Sequence, residues 1–317
     1  MRQHIVTLLL AFTACAHAAW PDKPIKLIVP FPPGGPNDVV ARLVAEPLAQ
    51  VLGQPVVIDN RAGAGGTIGS DAGAKAAPDG YTLTLGSTSS HSLPTLLGQK
   101  IGYSPTTSFA PVGLIGRTPT VLLASPRMAA GSYADFIAKV RAQPGRLNYG
   151  SSGNGTLNHL VMETFKAQTG TFIVHIPYRG TGQAMADLMA GQIDLMFDAA
   201  ITAVPQVKAG KLQALAVSGG RRLPDLPQVP TFDEIGLKDF QGNLWIGLLA
   251  PAGTPTPVLK RLNDELQAVL NRPEVRTRMG ALGFEPQPGP PAALSAHMQA
   301  VQDAWARVVR ERRIGPD

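Results

Sequence analysis

From residue 25 onward, short apolar runs with strand character alternate with segments whose apolar residues recur at helical spacing, and this alternation is the tightest constraint on how the chain folds. Repeated strand, loop and helix predict an α/β architecture around a mostly parallel sheet. Residues 25–29 read as the first strand. Residues 39–52 read as the following helix, with Val40, Leu43, Val44, Leu48, Val51 and Leu52 on one face. Gly53 ends that helix, and Pro47 inside it should kink or weaken it. Strands are expected at 56–58 and 81–85, then as two separate runs at 112–115 and 121–124, with a small-residue helix at 68–77. After a helix at 133–141 capped by Ser132, the pattern restarts. It gives strands at 147–149, 172–176, 193–197 and 212–217 and helices at 157–168 and 183–190. Beyond a strand at 245–250 the chain turns helical, with core-facing stripes Leu259, Leu262, Leu266, Val269 and Leu294, Met298, Val301, Trp305, Val308. The expectation is two α/β lobes without a long flexible linker.

The length of 317 residues supports such a pair of lobes. Arg2, the apolar run from Ile5 to Phe12 and Ala16-His17-Ala18 have the form of a secretory leader cleaved after Ala18. The run is too short to span a bilayer, which takes roughly 20 residues. The single cysteine, Cys15, falls in that leader, in a poor lipoprotein box, so the mature chain has no thiol for a disulfide or zinc cage and suits an oxidising compartment. The net charge of +6 is a mild bias toward anions. Basic residues cluster only at Arg221-Arg222 and at Arg310, Arg312 and Arg313, without the aromatic interleaving of a nucleic-acid surface. His91, His159, His175 and His297 have no metal-ligand spacing, and no cofactor is expected.

The chemistry suggested by the sequence lies in glycine loops that open helices. These are Phe31-Pro32-Pro33-Gly34-Gly35-Pro36-Asn37-Asp38, Gly63-Ala64-Gly65-Gly66-Thr67 and Gly150-Ser151-Ser152-Gly153-Asn154-Gly155-Thr156. Each brings unpaired backbone N–H groups, the positive end of a helix and short hydroxyls to one point, which suits a carboxylate without any buried lysine or arginine. Asn37 or Asp38 can alternatively cap the first helix with its own side chain. A dinucleotide fold is disfavoured because Leu83-Thr84-Leu85 runs into Gly86-Ser87 instead of a ribose-binding acid. A hydrolase elbow fails at Asn154, where glycine is needed, and only His297 follows Asp198 as a candidate base.

Several stretches carry a family resemblance. They are Lys23 to Arg42, Asn60-Arg61-Ala62-Gly63-Ala64-Gly65-Gly66, Pro78-Asp79-Gly80-Tyr81-Thr82-Leu83, Tyr149 to Thr156 with His159-Leu160, Pro177-Tyr178-Arg179-Gly180, Ala209 to Val217 and Ala250-Pro251-Ala252-Gly253-Thr254-Pro255. In this order they resemble the Bug family, the extracytoplasmic solute receptors of tripartite tricarboxylate transporters. The resemblance implies a two-lobed type II periplasmic-binding-protein fold with two crossing segments, near 120–123 and 243–246. The lobes would then comprise residues 19–120 with 245–317, and residues 121–244, behind the leader at 1–18.

The resemblance also implies ligand contacts at Phe31, Gly34, Gly35, Asp38 and Thr67, with Ser87 and His91 as further candidates. Across the cleft it implies Ser151, Gly153, Asn154, Thr156, Tyr178 and Asp198. Ala62, Ser108 and Ser92-Leu93-Pro94 depart from the family pattern, and the last of these bears on the role of His91. The expected function is a monomeric, non-enzymatic periplasmic receptor that passes a small organic carboxylate to a membrane permease. A ligand sensor serving a membrane signalling protein, or an exported hydrolase, are the alternatives.

Overall fold

A computed structural model describes residues 20–128, 131–238 and 240–312. The leader at 1–18 and Arg313 lie outside the described residues. Apolar Ile25–Val29 forms β1, and helix α1 (Pro36–Leu52) follows it, running through Pro47 to a left-handed stop at Gly53 whose N–H bonds the Ala49 carbonyl. Strands β2 (Val56–Asn60) and β3 (Thr82–Ser87) flank β1 in parallel, with α2 (Thr67–Ala74) between them. A hydroxyl-rich turn, Thr88–Ser92, leads into α3 (Leu93–Leu96).

The two runs expected as separate strands are one, β4 (Phe109–Ala124), 16 residues long. At about 3.3 Å per residue it extends roughly 50 Å, long enough to serve two sheets. Pro111 and Pro119, which cannot donate to a ladder, sit within it, and its register shifts between Pro111 and Gly113. Helix α4 (Tyr133–Ala142) starts at Ser132, whose hydroxyl accepts the Asp135 N–H as expected. Then come β5 (Asn148–Ser151), α5 (Leu157–Thr169), β6 (Val174–Pro177), α6 (Thr181–Met189), β7 (Leu195–Ala199), α7 (Ala200–Lys208) and β8 (Gln213–Val217). The chain returns through β9 (Asn243–Pro251) and ends in α8 (Thr256–Leu270), α9 (Pro273–Gly280), β10 (Glu285–Pro286) and α10 (Pro291–Arg312).

The first half of β4 pairs with β9, which continues through β3 and β1 to β2; the second half pairs with β7 on one side and β8 on the other, and β7 continues to β5 and β6. The change occurs at Pro119 and Thr120. There the Thr120 N–H donates to the Gly242 carbonyl at 3.0 Å, the Ser218 N–H donates to the Thr120 carbonyl at 2.9 Å, and the Ser218 hydroxyl donates to Gly242 at 2.9 Å. Outgoing and returning strands are therefore stapled where the two sheets meet. A Cβ on Gly242 would fall 2.5 Å from that of Ser218, so the crossing closes only around glycine. The C-terminal helices α8 and α10 pack back on β4, and their apolar stripes, including Leu262, Leu266, Val269, Leu294 and Trp305, are buried.

Candidate functional site

Four helices of eight residues or more begin at one small cavity between the two sheets. Pro36 and Asn37 of α1, Leu157 and Asn158 of α5, Thr181 of α6 and Ala199 at the start of α7 all line it. None of the four has a side-chain cap of its own. Each leaves first-turn N–H groups without helical partners and carries roughly half a positive charge at its end. Pro36 gives up no donor, being at the first helical position. Among the described residues, no lysine or arginine lines the cavity, and Asp198 is the only titratable side chain there.

The cavity is shut. Its volume is about 20 Å³, room for roughly one water. The Leu157 N–H of α5 donates to the Ser89 hydroxyl of the opposite lobe at 3.0 Å, so one helix start is capped from across the cleft. Gly35 and Thr181 also face each other with no room to spare: a Cβ added at Gly35 would lie 2.8 Å from the Thr181 Oγ1. Phe31 and Ser152 line both the cavity and a larger open groove of about 660 Å³, which the loop from Gly63 to Gly66 shares with Gly153, Asn154 and Tyr178.

Two polar atoms here have no hydrogen-bond partner. Asn37 Oδ1 and Asp198 Oδ1 are buried on residues that line the cavity, with 6% and 1% exposure. The other Asp198 oxygen accepts from the Thr202 hydroxyl at 2.6 Å. Burial pushes the Asp198 pKa up to about 7, against the pull of Thr202, the Ala199 N–H and Asn158. Ser152 and Asn158 are held in place by each other: Ser152 donates to Asn158 Oδ1 at 2.9 Å, and Asn158 donates to the Phe197 carbonyl at 2.6 Å.

Of the expected contacts, Phe31, Gly35 and Asp198 line the cavity; Gly153, Asn154 and Tyr178 line the adjoining groove, and Gly34 borders a second groove on the other side of Asp198. The remaining side chains are engaged elsewhere. Asp38 neither caps α1 nor faces the cavity. It accepts from the Gly34 N–H at 3.0 Å, from Asn60 at 3.0 Å and from Arg42 through both oxygens, which clamps the loop from behind. Burial alone would raise its pKa, but these hydrogen bonds outweigh burial and hold it below the ordinary value.

Thr67 donates to Ala64, Ser87 pairs with Ser90, and Thr156 donates to Gly153. Ser151 sits 2.7 Å from His175 Nε2. His91 is buried against Tyr103, Phe109 and Trp245, and burial lowers its pKa to about 3. The Tyr178 hydroxyl donates to Asp187 at 2.7 Å; burial, with Asp187, raises its pKa to about 12. His175 stacks on His159 with ring centres 4.3 Å apart, and Asp198 is bonded to Thr202.

Asn37, Ser89, Thr120, Asn158 and Thr181 line the cavity but carry no singular sequence signal. Asn37 stands inside a glycine loop read for its backbone, Ser89 in an undifferentiated run of hydroxyls, and Thr181 directly after Gly180, which the helix pattern placed outside α6.

Two sheets joined by a stapled crossing, with a closed cavity of helix starts between them, define a solute-binding receptor of the two-lobed class. The chain belongs to the tripartite tricarboxylate transporter receptor family, whose model matches residues 40–314. It is 38% identical over 296 residues to the protein BugT of Bordetella pertussis, covering 92% of this chain and 90% of that one. Among solved structures it resembles R. palustris Rpa4515 with adipate, at TM-score 0.91 and 36% identity, covering 94% of this chain and 100% of that chain. It also resembles MatC (Rpa3494) from Rhodopseudomonas palustris with bound malate, at TM-score 0.87 and 36% identity, covering 92% and 100%. The family comprises periplasmic substrate-binding receptors of transporters and is not an enzyme family.

Proposed function

We propose that this receptor captures a small organic carboxylate in the cavity between its lobes and presents the closed form to the membrane permease subunits of a tripartite tricarboxylate transporter. One observation carries the reading: four helix starts converge on a cavity that has no cation in its lining. Their summed partial charge, on the order of two positive units, matches a dicarboxylate. Charge-assisted hydrogen bonds of about 1.5–3 kcal/mol each reach micromolar affinity, about −8 kcal/mol, after the costs of association. The adipate and malate held by the two solved relatives are of this class.

Because the cavity has room for little more than a water, entry requires the lobes to part about the Thr120, Ser218 and Gly242 staple, and the ligand then favours reclosure. In this reading the lobes divide at that staple, the leader at 1–18 is removed on export, and the mature receptor acts as a monomer. Thermal-shift screening against mono-, di- and tricarboxylates tests the proposal, since a ligand that binds only the native state raises Tm. A panel that left Tm unchanged at millimolar concentration would overturn it.

A further inference from the structure

Arg221 and Arg222, one of the two basic clusters of the sequence, take no part in the cavity. They stand on one wall of a groove of about 420 Å³ whose other wall carries Arg276 of α9 and Glu285 of β10. Glu285 matches Arg117 and Glu234 matches Arg222, which leaves Arg221 and Arg276 over. Both are exposed, and neither has an ion-pair partner among the described residues. Between them the lining is apolar, with Pro119, Leu223, Phe284 and Pro286. A rim of unmatched guanidinium groups around an apolar floor has the composition of a protein-binding surface. A small dianion on two exposed arginines gains little in water, whereas a chain that carries carboxylates across the floor adds apolar burial to each pair.

The groove is also tied to the state of the lobes. Pro119 and Asn243, partners across the two crossing strands, line the groove, while Thr120 and Leu244, the next residue on each strand, line the cavity. Successive residues of a strand face opposite sides, so groove and cavity lie on opposite faces of one hinge. Arg221 follows β8, in the second sheet, whereas β10 pairs with the first half of β4, in the other. The two walls meet at Gly283, whose φ is +72° and where a Cβ would fall 2.8 Å from that of Ala200. A rotation that parts the lobes on the cavity side therefore drives the walls of the groove together. The groove keeps its width only while the cavity is shut.

We propose that this groove is the docking surface for an extended acidic segment of a partner protein, whose carboxylates pair with Arg221 and Arg276 from opposite walls while its chain covers the floor, and that the segment fits only the closed receptor. Recognition of acidic motifs by arginine clusters is a recurring mode of peptide binding. Under the transporter reading above, on which this one assignment rests, the segment belongs to the permease. By reciprocity, a partner that prefers the closed form also holds the lobes shut while it is bound.

The test is fluorescence anisotropy of a labelled, capped peptide of alternating glutamate and proline, which is extended and soluble, titrated with the full chain at low salt. The peptide should bind the wild type and lose at least tenfold in affinity when Arg221→Glu and Arg276→Glu are combined. Arg307→Glu with Arg310→Glu, the same change of net charge on exposed positions of α10, should bind within twofold of the wild type. Equal losses in the two double variants would mean that net charge alone attracts the peptide, and would overturn the proposal. So would a wild type that does not bind the peptide, or that binds its glutamine–proline twin equally well. Inorganic phosphate that held the groove as tightly as the peptide, or phosphatidylglycerol vesicles bound through Arg221 and Arg276 in its place, would overturn a protein occupant. Gly35→Trp, a wedge in the cavity, should weaken the peptide at least threefold, and Thr181→Trp replaces it should that variant fail to fold. Undiminished binding to the wedged receptor overturns the dependence on closure. If the peptide bound as expected but no carboxylate raised Tm, the docking surface would stand and the permease would fall as its partner.

Discussion

Two regions of this molecule attract anions by different physics. The cavity between the lobes has no cation and relies on helix starts; behind the crossing, a groove of about 420 Å³ is lined by Arg117, Arg221, Arg222 and Arg276, with Glu285 the opposing charge. In that groove the charges face solvent. Arg117 pairs with Glu285 at 3.2 Å, both partners about half exposed, and Arg222 pairs with Glu234, contacts worth little and screened by salt. In the cavity the dipoles are fixed by the fold and shielded from water, so they are pre-oriented and insensitive to ionic strength. On the proposed function, the conspicuous positive charge of this chain is thus not where its selective chemistry sits.

The largest effect that sharpens this contrast comes from the one charge the cavity holds. Asp198 has a raised pKa, so its protonated native form contributes stability below the unfolded carboxylate pKa, and this is lost as pH rises to about 7. Unliganded Asp198→Asn should therefore be more stable than wild type at pH 8 by about 2–3 kcal/mol, with no such gain near pH 4. Denaturant unfolding at the two pH values checks this, and an equal change at both would mean that Asp198 is as solvated as the groove residues.

Next in size is a wedge between the lobes. Gly35 has φ −84°, which alanine accepts, yet its Cβ would meet the Thr181 hydroxyl at 2.8 Å. Gly35→Ala should weaken ligand binding by about 1–3 kcal/mol while leaving the unliganded Tm nearly unchanged. Calorimetry that found undiminished affinity would remove the closed cavity from the mechanism.

A smaller loss is expected from the loop clamp. Asp38→Asn should cost about 1–2 kcal/mol of stability, measured by urea unfolding at pH 7. Because the Asp38 pKa is lowered in the native state, that contribution is present above the unfolded carboxylate pKa and disappears as pH falls below it. Variant and wild type should converge only once the pH has fallen through the lowered native pKa of Asp38. The smallest effect belongs to the arginine groove: the pair Arg221→Ala and Arg276→Ala should change ligand Kd less than twofold at physiological salt. A tenfold change would erase the distinction between the two regions.

Much of this was legible in local sequence. Loop 31–38 announces a helix start through its glycines and prolines, Ser132 announces a cap, and the stripes of α8 and α10 announce buried faces, because each signal rests on neighbours within one or two turns. Other features were illegible for equally physical reasons. Residues 112–115 and 121–124 read as two strands because the polar stretch between them, Gly116 to Thr120, hides that β4 runs unbroken from one sheet into the other. The resemblance put Asp38 among the ligand contacts; that its carboxylate is held by Asn60, 22 residues on, is invisible to spacing. Helix α7 went unseen behind its Pro205.

By itself, then, the sequence determined the alternation of strands and helices, the family pattern and the presence of glycine loops at helix starts, all consequences of short-range backbone preference and apolar period. Only the tertiary structure decided which helix starts converge, that Ser89 caps α5 from the far lobe, and that Asp198 Oδ1 has no partner. Those facts depend on atoms brought together across two lobes from positions up to about 160 residues apart in the chain, and a buried dipole or an unpaired oxygen acquires its energy only when that assembly excludes water.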